Sequence, residues 1–195
     1  MSWRPFITLI KDLTFYRSKL QMNRGVEAAA IAAWIATFHA SKQTLDRTSL
    51  LPDAQKTVFA GALSGLAVAA ISLPYGSRQF PELRIDLDAN PLRAPFRNTA
   101  KLAIGHALFW TLYQGLSLPV HRKPSGMWGS ADFATLFFAS AVSGIGYRCV
   151  AYAFYSGPLA NPAGNPRAVL TSCLAIASIT TASEYCLHSI SDAPH

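Results

Sequence analysis

The chain has 195 residues, of which 51% are hydrophobic and only 14% charged, with a mean hydropathy of +0.23. A soluble domain carries roughly 25% charged residues, and here the charges fall between apolar stretches, so composition argues against an ordinary soluble globule. The net charge of +7 does not point to nucleic acid, because the basic residues are scattered through connectors and form no run or single face.

The first segment, residues 1–23, places Phe6, Leu9, Ile10, Leu13, Tyr16 and Leu20 at helical spacing, with Lys11, Arg17 and Lys19 among them. This pattern predicts an amphipathic helix lying on a membrane surface, retained and not removed as a targeting signal. Five apolar stretches follow: Gly25 to Ala40, Thr57 to Pro74, Ala100 to Leu118, Phe133 to Ser156 and Ala168 to Leu187. Several are nearer 18 residues than the roughly 20 that cross a ~30 Å core, so flanking residues or local thinning must make up the difference. The expected fold is all-α: a multi-pass transmembrane helix bundle over residues 24–188, with a short tail over 189–195.

Orientation follows from the basic residues. Arg4, Lys11, Arg17, Lys19, Arg24, Arg78, Arg84, Arg93, Arg97, Lys101 and Arg167 fall on the amino-terminal side; Lys42, Arg47, Lys56, Arg122 and Lys123 fall on the other. The positive-inside rule then puts the amino terminus on the cytoplasmic or equivalent side. Trp3 and Trp128 read as interfacial anchors, whereas Trp34 and Trp110 lie within spans. The connector from Pro81 to Phe96 is polar, and its Asp86 and Asp88 read as a solvated pair.

The second and fourth spans align without gaps, Ala60–Ser77 over Ala139–Ser156. Small residues coincide at Ala60/Ala139, Gly61/Ser140, Ala62/Ala141, Ser64/Ser143 and Gly65/Gly144. Small-xxx-small faces let helix backbones approach closely where lipid supplies no hydrophobic drive, so Gly61, Gly65 and Gly144 are expected packing positions.

These residues resemble the mitochondrial carrier family. Ala60-Gly61-Ala62-Leu63-Ser64-Gly65 fits the small-residue pattern of the odd-numbered carrier helices, and Pro74 stands where their kink proline would. Even-numbered carrier helices end in an aromatic, an acid and a base. Phe38 and Lys42 keep the aromatic and the base; Tyr113-Gln114 keeps the aromatic with an amide, and Glu184 keeps the acid alone. The resemblance implies that the five spans correspond to carrier helices two to six, in a mitochondrial inner membrane with the amino terminus in the matrix. The departures bear on function. After Pro74 the acid position holds Gly76 and Arg78 stands one place early, while the second copy has Ala153, Tyr155 and Pro158 at the proline, acid and base positions. The residues of a matrix gate, and one helix, are missing.

Candidate chemistry is sparse. Arg148 lies nine residues from Gly157, about 13 Å into a helix at 1.5 Å per residue. A cation at that depth needs a partner or water, and Glu27 is nearer in depth than Glu184. An intramembrane ion pair, or a lipid or substrate contact, is the expected role of Arg148 and Glu27. His39, His106, His121 and His188 share no ligand spacing, apart from Glu184 with His188 one turn apart, and a metal there would need partners from elsewhere. Cys149, Cys173 and Cys186 read as small core residues with neither disulfide nor zinc spacing. No phosphate loop, nucleophile elbow or HExxH helix is present in the sequence. The expectation is therefore no enzyme, no cofactor and no metal. The chain is expected to be a non-catalytic accessory subunit of an inner-membrane complex, a respiratory complex or the ATP synthase, packing against other membrane subunits and lipids such as cardiolipin. The alternatives are a carrier-like solute transporter and a four-span relative of the import channels.

Overall fold

The computed structural model describes residues 24–49, 51–79, 93–124, 127–154 and 166–191. At some helical positions, Glu27, Pro74, Arg78 and Arg148 among them, it describes the backbone alone. Among the described residues the fold is all-α: α1 (Arg24–Asp46), α2 (Asp53–Gln79), α3 (Arg93–His121), α4 (Ser130–Phe154) and α5 (Pro166–Ser191). Each helix contains or nearly contains one expected span and runs past its amino-terminal edge, because the flanking polar residues continue the helix where the apolar run stops. The surface helix expected over residues 1–23 lies outside the described residues. Residues 189–191, expected in the tail, are helical.

The helices pack chiefly against their sequence neighbours and alternate in direction. Gly61 lies against Ala107 and Gly65 against Leu102 and Ala103, so α2 and α3 run antiparallel. Gly144 lies against Cys173, while Phe133 meets Tyr185, which gives the same sense for α4 and α5. The ends of α1, α3 and α5 and the starts of α2 and α4 therefore gather at one end of the bundle. Two short connectors close that end. In the first, Lys56 is buried and bridges Asp53 at 3.2 Å and Asp46, on α1, at 4.0 Å. In the second, Lys123 donates to Asp132 at 2.7 Å, and Asp132 also accepts from the Gly129 N–H at 3.0 Å as it caps α4. Those two donors, the lysine first, hold the Asp132 carboxyl below the usual aspartate range against a smaller opposing effect of burial.

Two kinds of residue fill the interior. An aromatic core joins α1 and α3: Phe38 stacks on Trp110 with centroids 3.7 Å apart and planes 2° from parallel, and Trp34 meets Phe109 and Trp110 edge-on or tilted. Elsewhere many buried positions are small or hydroxylic, Ala60, Ser64, Ala69, Ser117, Ala139, Ser140, Ser143, Ala177 and Thr180 among them, with Val120 and Leu136 as larger apolar residues beside them. Ser64, Ser117 and Ser143 donate to the carbonyls of Gly61, Tyr113 and Ala139, which satisfies each hydroxyl within its own helix. Large apolar side chains point outwards, among them Phe59 (52% exposed), Leu63, Ile104, Phe138 (66%), Val142, Ile145 and Leu170.

One segment among the described residues, Asp53–Ile71 of α2, is long and apolar enough by length and composition to cross a membrane. The sequence reading expected five. Length and composition among the described residues therefore do not by themselves carry a five-span bundle. The direction in which side chains point bears on the question separately.

Candidate functional site

The gathered end of the bundle holds a cluster of titratable side chains. It is built from three helices that are not sequence neighbours. On α1 the inward stripe Ala30, Trp34, Phe38 advances four residues at a time, and His39 stands beside its last member. On α3 the stripe Trp110, Tyr113, Ser117, Val120 ends against His121. On α5 the stripe Cys173, Ala177, Thr180, Glu184 follows helical spacing, and His188 continues it one turn later. The periodicity that buries each helix thus also delivers its polar residue to the shared end.

Glu184 is the centre of the cluster. Its side chain is 2% exposed, and its Oε1 forms no hydrogen bond. The nearest basic atom is Nε2 of His39 at 3.6 Å, and the Tyr113 hydroxyl faces the same carboxyl. Beyond it, Nδ1 of His121 lies 3.3 Å from Nε2 of His188, with ring centroids 5.4 Å apart. Trp128 covers His188 at 4.9 Å and holds its own indole N–H on the Lys123 carbonyl. One ligand atom each from His121, Glu184 and His188 falls within 4.8 Å of the others. A buried carboxylate oxygen without a hydrogen-bond partner is costly, and two imidazoles beside it offer either a proton or a nitrogen lone pair.

The residues singled out from sequence fall into separate places. Phe38 and Glu184 come together at this end. Lys42 does not join them: its ammonium binds both Asp46 carboxylate oxygens, at 2.6 and 2.7 Å, one turn along α1. Gly61 and Gly65 lie in the seam between α2 and α3, where a Cβ would come within 2.7 Å of the Ala107 Cα and 2.5 Å of the Leu102 carbonyl oxygen. Gly144 is looser, at 3.3 Å from the Cys173 sulfur. Glu27, Pro74, Arg78 and Arg148 lie on α1, α2, α2 and α4, and their side-chain placements lie outside the described residues. Cys173 is buried as expected of a core residue, whereas Cys186 is exposed because it lies off the inward stripe of α5.

Sequence reasoning named His121 without joining it to Glu184 and His188, and passed over Gly105. Gly105 faces the Tyr147 ring, where a Cβ would approach within 2.6 Å. The only linear trace of the cluster is Glu184 and His188 one turn apart; His39 and His121 join through tertiary packing.

No family model, no curated protein and no solved structure matches this chain.

Proposed function

We propose that the chain is a multi-pass membrane protein and a non-catalytic structural subunit of a larger membrane assembly. The observation that carries this reading is the inverted radial pattern of the bundle. Phe59, Leu63, Ile104, Phe138, Val142 and Ile145 face outwards, while Ser64, Ser117, Ser140, Ser143 and Thr180 face inwards. In water that arrangement forgoes the burial of these outward apolar groups, each worth about 1.5–3 kcal/mol, although the aromatic core between α1 and α3 is buried. In lipid it costs nothing, because acyl chains solvate the outward residues and small inward residues let backbones pack. The pattern holds on both α2 and α4, so its support does not depend on one helix's hydropathy.

The carrier-like motifs and the basic residues on the amino-terminal side favour the mitochondrial inner membrane, with the amino terminus in the matrix. A respiratory complex or the ATP synthase is the natural host, and outward apolar faces suit contact with neighbouring subunits and with lipid. Blue-native electrophoresis of mitochondrial membranes in mild detergent, followed by mass spectrometry of the bands, tests this. Co-migration with one complex at fixed stoichiometry is expected; migration alone or as a small homo-oligomer overturns the subunit assignment.

A second reading, solute transport, draws on one observation. Glu184, a remnant of the even-helix motif, faces Tyr113, and Phe38 stacks on Trp110, which packs against Tyr113, at the ends of alternate helices. It requires solute flux by the purified protein in liposomes, lost in Arg148→Ala.

A further inference from the structure

We infer that His121, Glu184 and His188 form a binding site for a divalent transition-metal ion of the zinc class. Their ligand atoms converge within 4.8 Å of one another. The 3.3 Å between Nδ1 of His121 and Nε2 of His188 matches the edge of a tetrahedron with metal–nitrogen bonds of about 2.0–2.1 Å, which is about 3.3 Å. Two imidazoles and one carboxylate select zinc, cobalt, nickel or copper over calcium and magnesium, which take oxygen ligands.

A hydrogen bond between the two histidines would account for the 3.3 Å separation alone. It leaves Oε1 of Glu184 buried and unpartnered, and it leaves the carboxyl without a cation. A divalent ion supplies both imidazoles and the carboxylate with a partner at once. His39, with Nε2 3.6 Å from Oε1 of Glu184 and just beyond hydrogen-bond distance, stands behind the carboxylate in the position that outer groups take behind metal ligands. Trp128 shields His188. The site ties the end of α3 to α5, two helices that are not neighbours in sequence, and with His39 reaches α1.

The test uses the full-length protein purified in detergent, stripped with chelator and titrated with Zn²⁺ alone. The wild type is expected to retain about one zinc per chain through dialysis. Weakening of about tenfold or more is expected in His188→Ala and in Glu184→Gln, with helical content by circular dichroism unchanged. His106→Gln, which alters a histidine packed between Trp34 and Tyr147, is expected to bind as the wild type does. Equal retention in the double variant His121→Ala/His188→Ala, or no retention by the wild type, overturns the assignment. Should the variants lose helical content, X-ray absorption of the zinc-loaded wild type decides. Two imidazoles with no sulfur in the coordination shell support the site, and a shell of oxygen alone or with sulfur overturns it.

Discussion

A glycine is informative here through what a methyl group in its place would meet. At Gly65 the added Cβ would strike the backbone of α3, whose carbonyl and Cα at Leu102 and Ala103 cannot rotate away. At Gly144 it would press on the Cys173 side chain at 3.3 Å, a contact relieved by a few tenths of an ångström. Alanine in a helix interior gains about 0.8–1.0 kcal/mol over glycine, whereas forced overpacking costs about 1–3 kcal/mol. Gly65→Ala is therefore expected to lower the thermal unfolding midpoint in detergent, and Gly144→Ala to leave it at or slightly above the wild type. Identical behaviour of the two variants would refute the close approach of α2 and α3. The sequence already marked Gly61 and Gly65, because small residues four apart leave a linear trace. It did not mark Gly105, whose reason for being small is the ring of Tyr147 on another helix.

Among the elements, helix existence was legible and helix extent was not. Apolar runs between polar connectors located all five helices, since such runs reflect burial or lipid contact, whereas the polar turns that prolong α1 from Ala40 to Asp46 obey local propensity and capping. The titratable cluster was half legible. Glu184 and His188 share a face by spacing alone, but His39 and His121 reach it only because α1, α3 and α5 point the same way. The connector between α3 and α4 makes a prediction at this scale. Its Asp132 has a lowered pKa, so its contribution is present above the ordinary aspartate value of about 3.9 and is lost as pH falls through the lower, folded value. Trp128, bonded to the Lys123 carbonyl in the same connector, reports on it. In variants with Trp3, Trp34 and Trp110 replaced by Phe and the neighbouring His121 and His188 replaced by Gln, its fluorescence is expected to hold steady to below pH 3.9 and then shift. Adding Asp132→Asn is expected to abolish that transition. A transition above pH 5, or one that survives the added substitution, would show that another group governs the connector.

For the molecule as a whole, the prediction concerns its surroundings. If lipid solvates the outward residues, Phe138→Trp, placed on a 66%-exposed position of α4, is quenched strongly by lipids brominated on their acyl chains. Ala139→Trp, one position round the same helix on the buried face, is expected to be quenched weakly if the bundle accommodates it. Equal quenching at both positions would argue against a fixed lipid-facing side. Sidedness has its own check. With the amino terminus in the matrix, an amino-terminal tag resists protease in mitoplasts and a carboxy-terminal tag is removed; the reverse result would sink the orientation read from the basic residues.

The seam between α2 and α3 also has a kinetic consequence. Where Gly61 and Gly65 meet Ala107, Leu102 and Ala103, the contact is largely backbone against backbone. Glycine and alanine lose no rotamer freedom on association, so this pair docks with little of the ordering penalty that the aromatic core between α1 and α3 must overcome. The pair α2 and α3 is thus suited to dock first and to serve as the template on which the remaining described helices assemble.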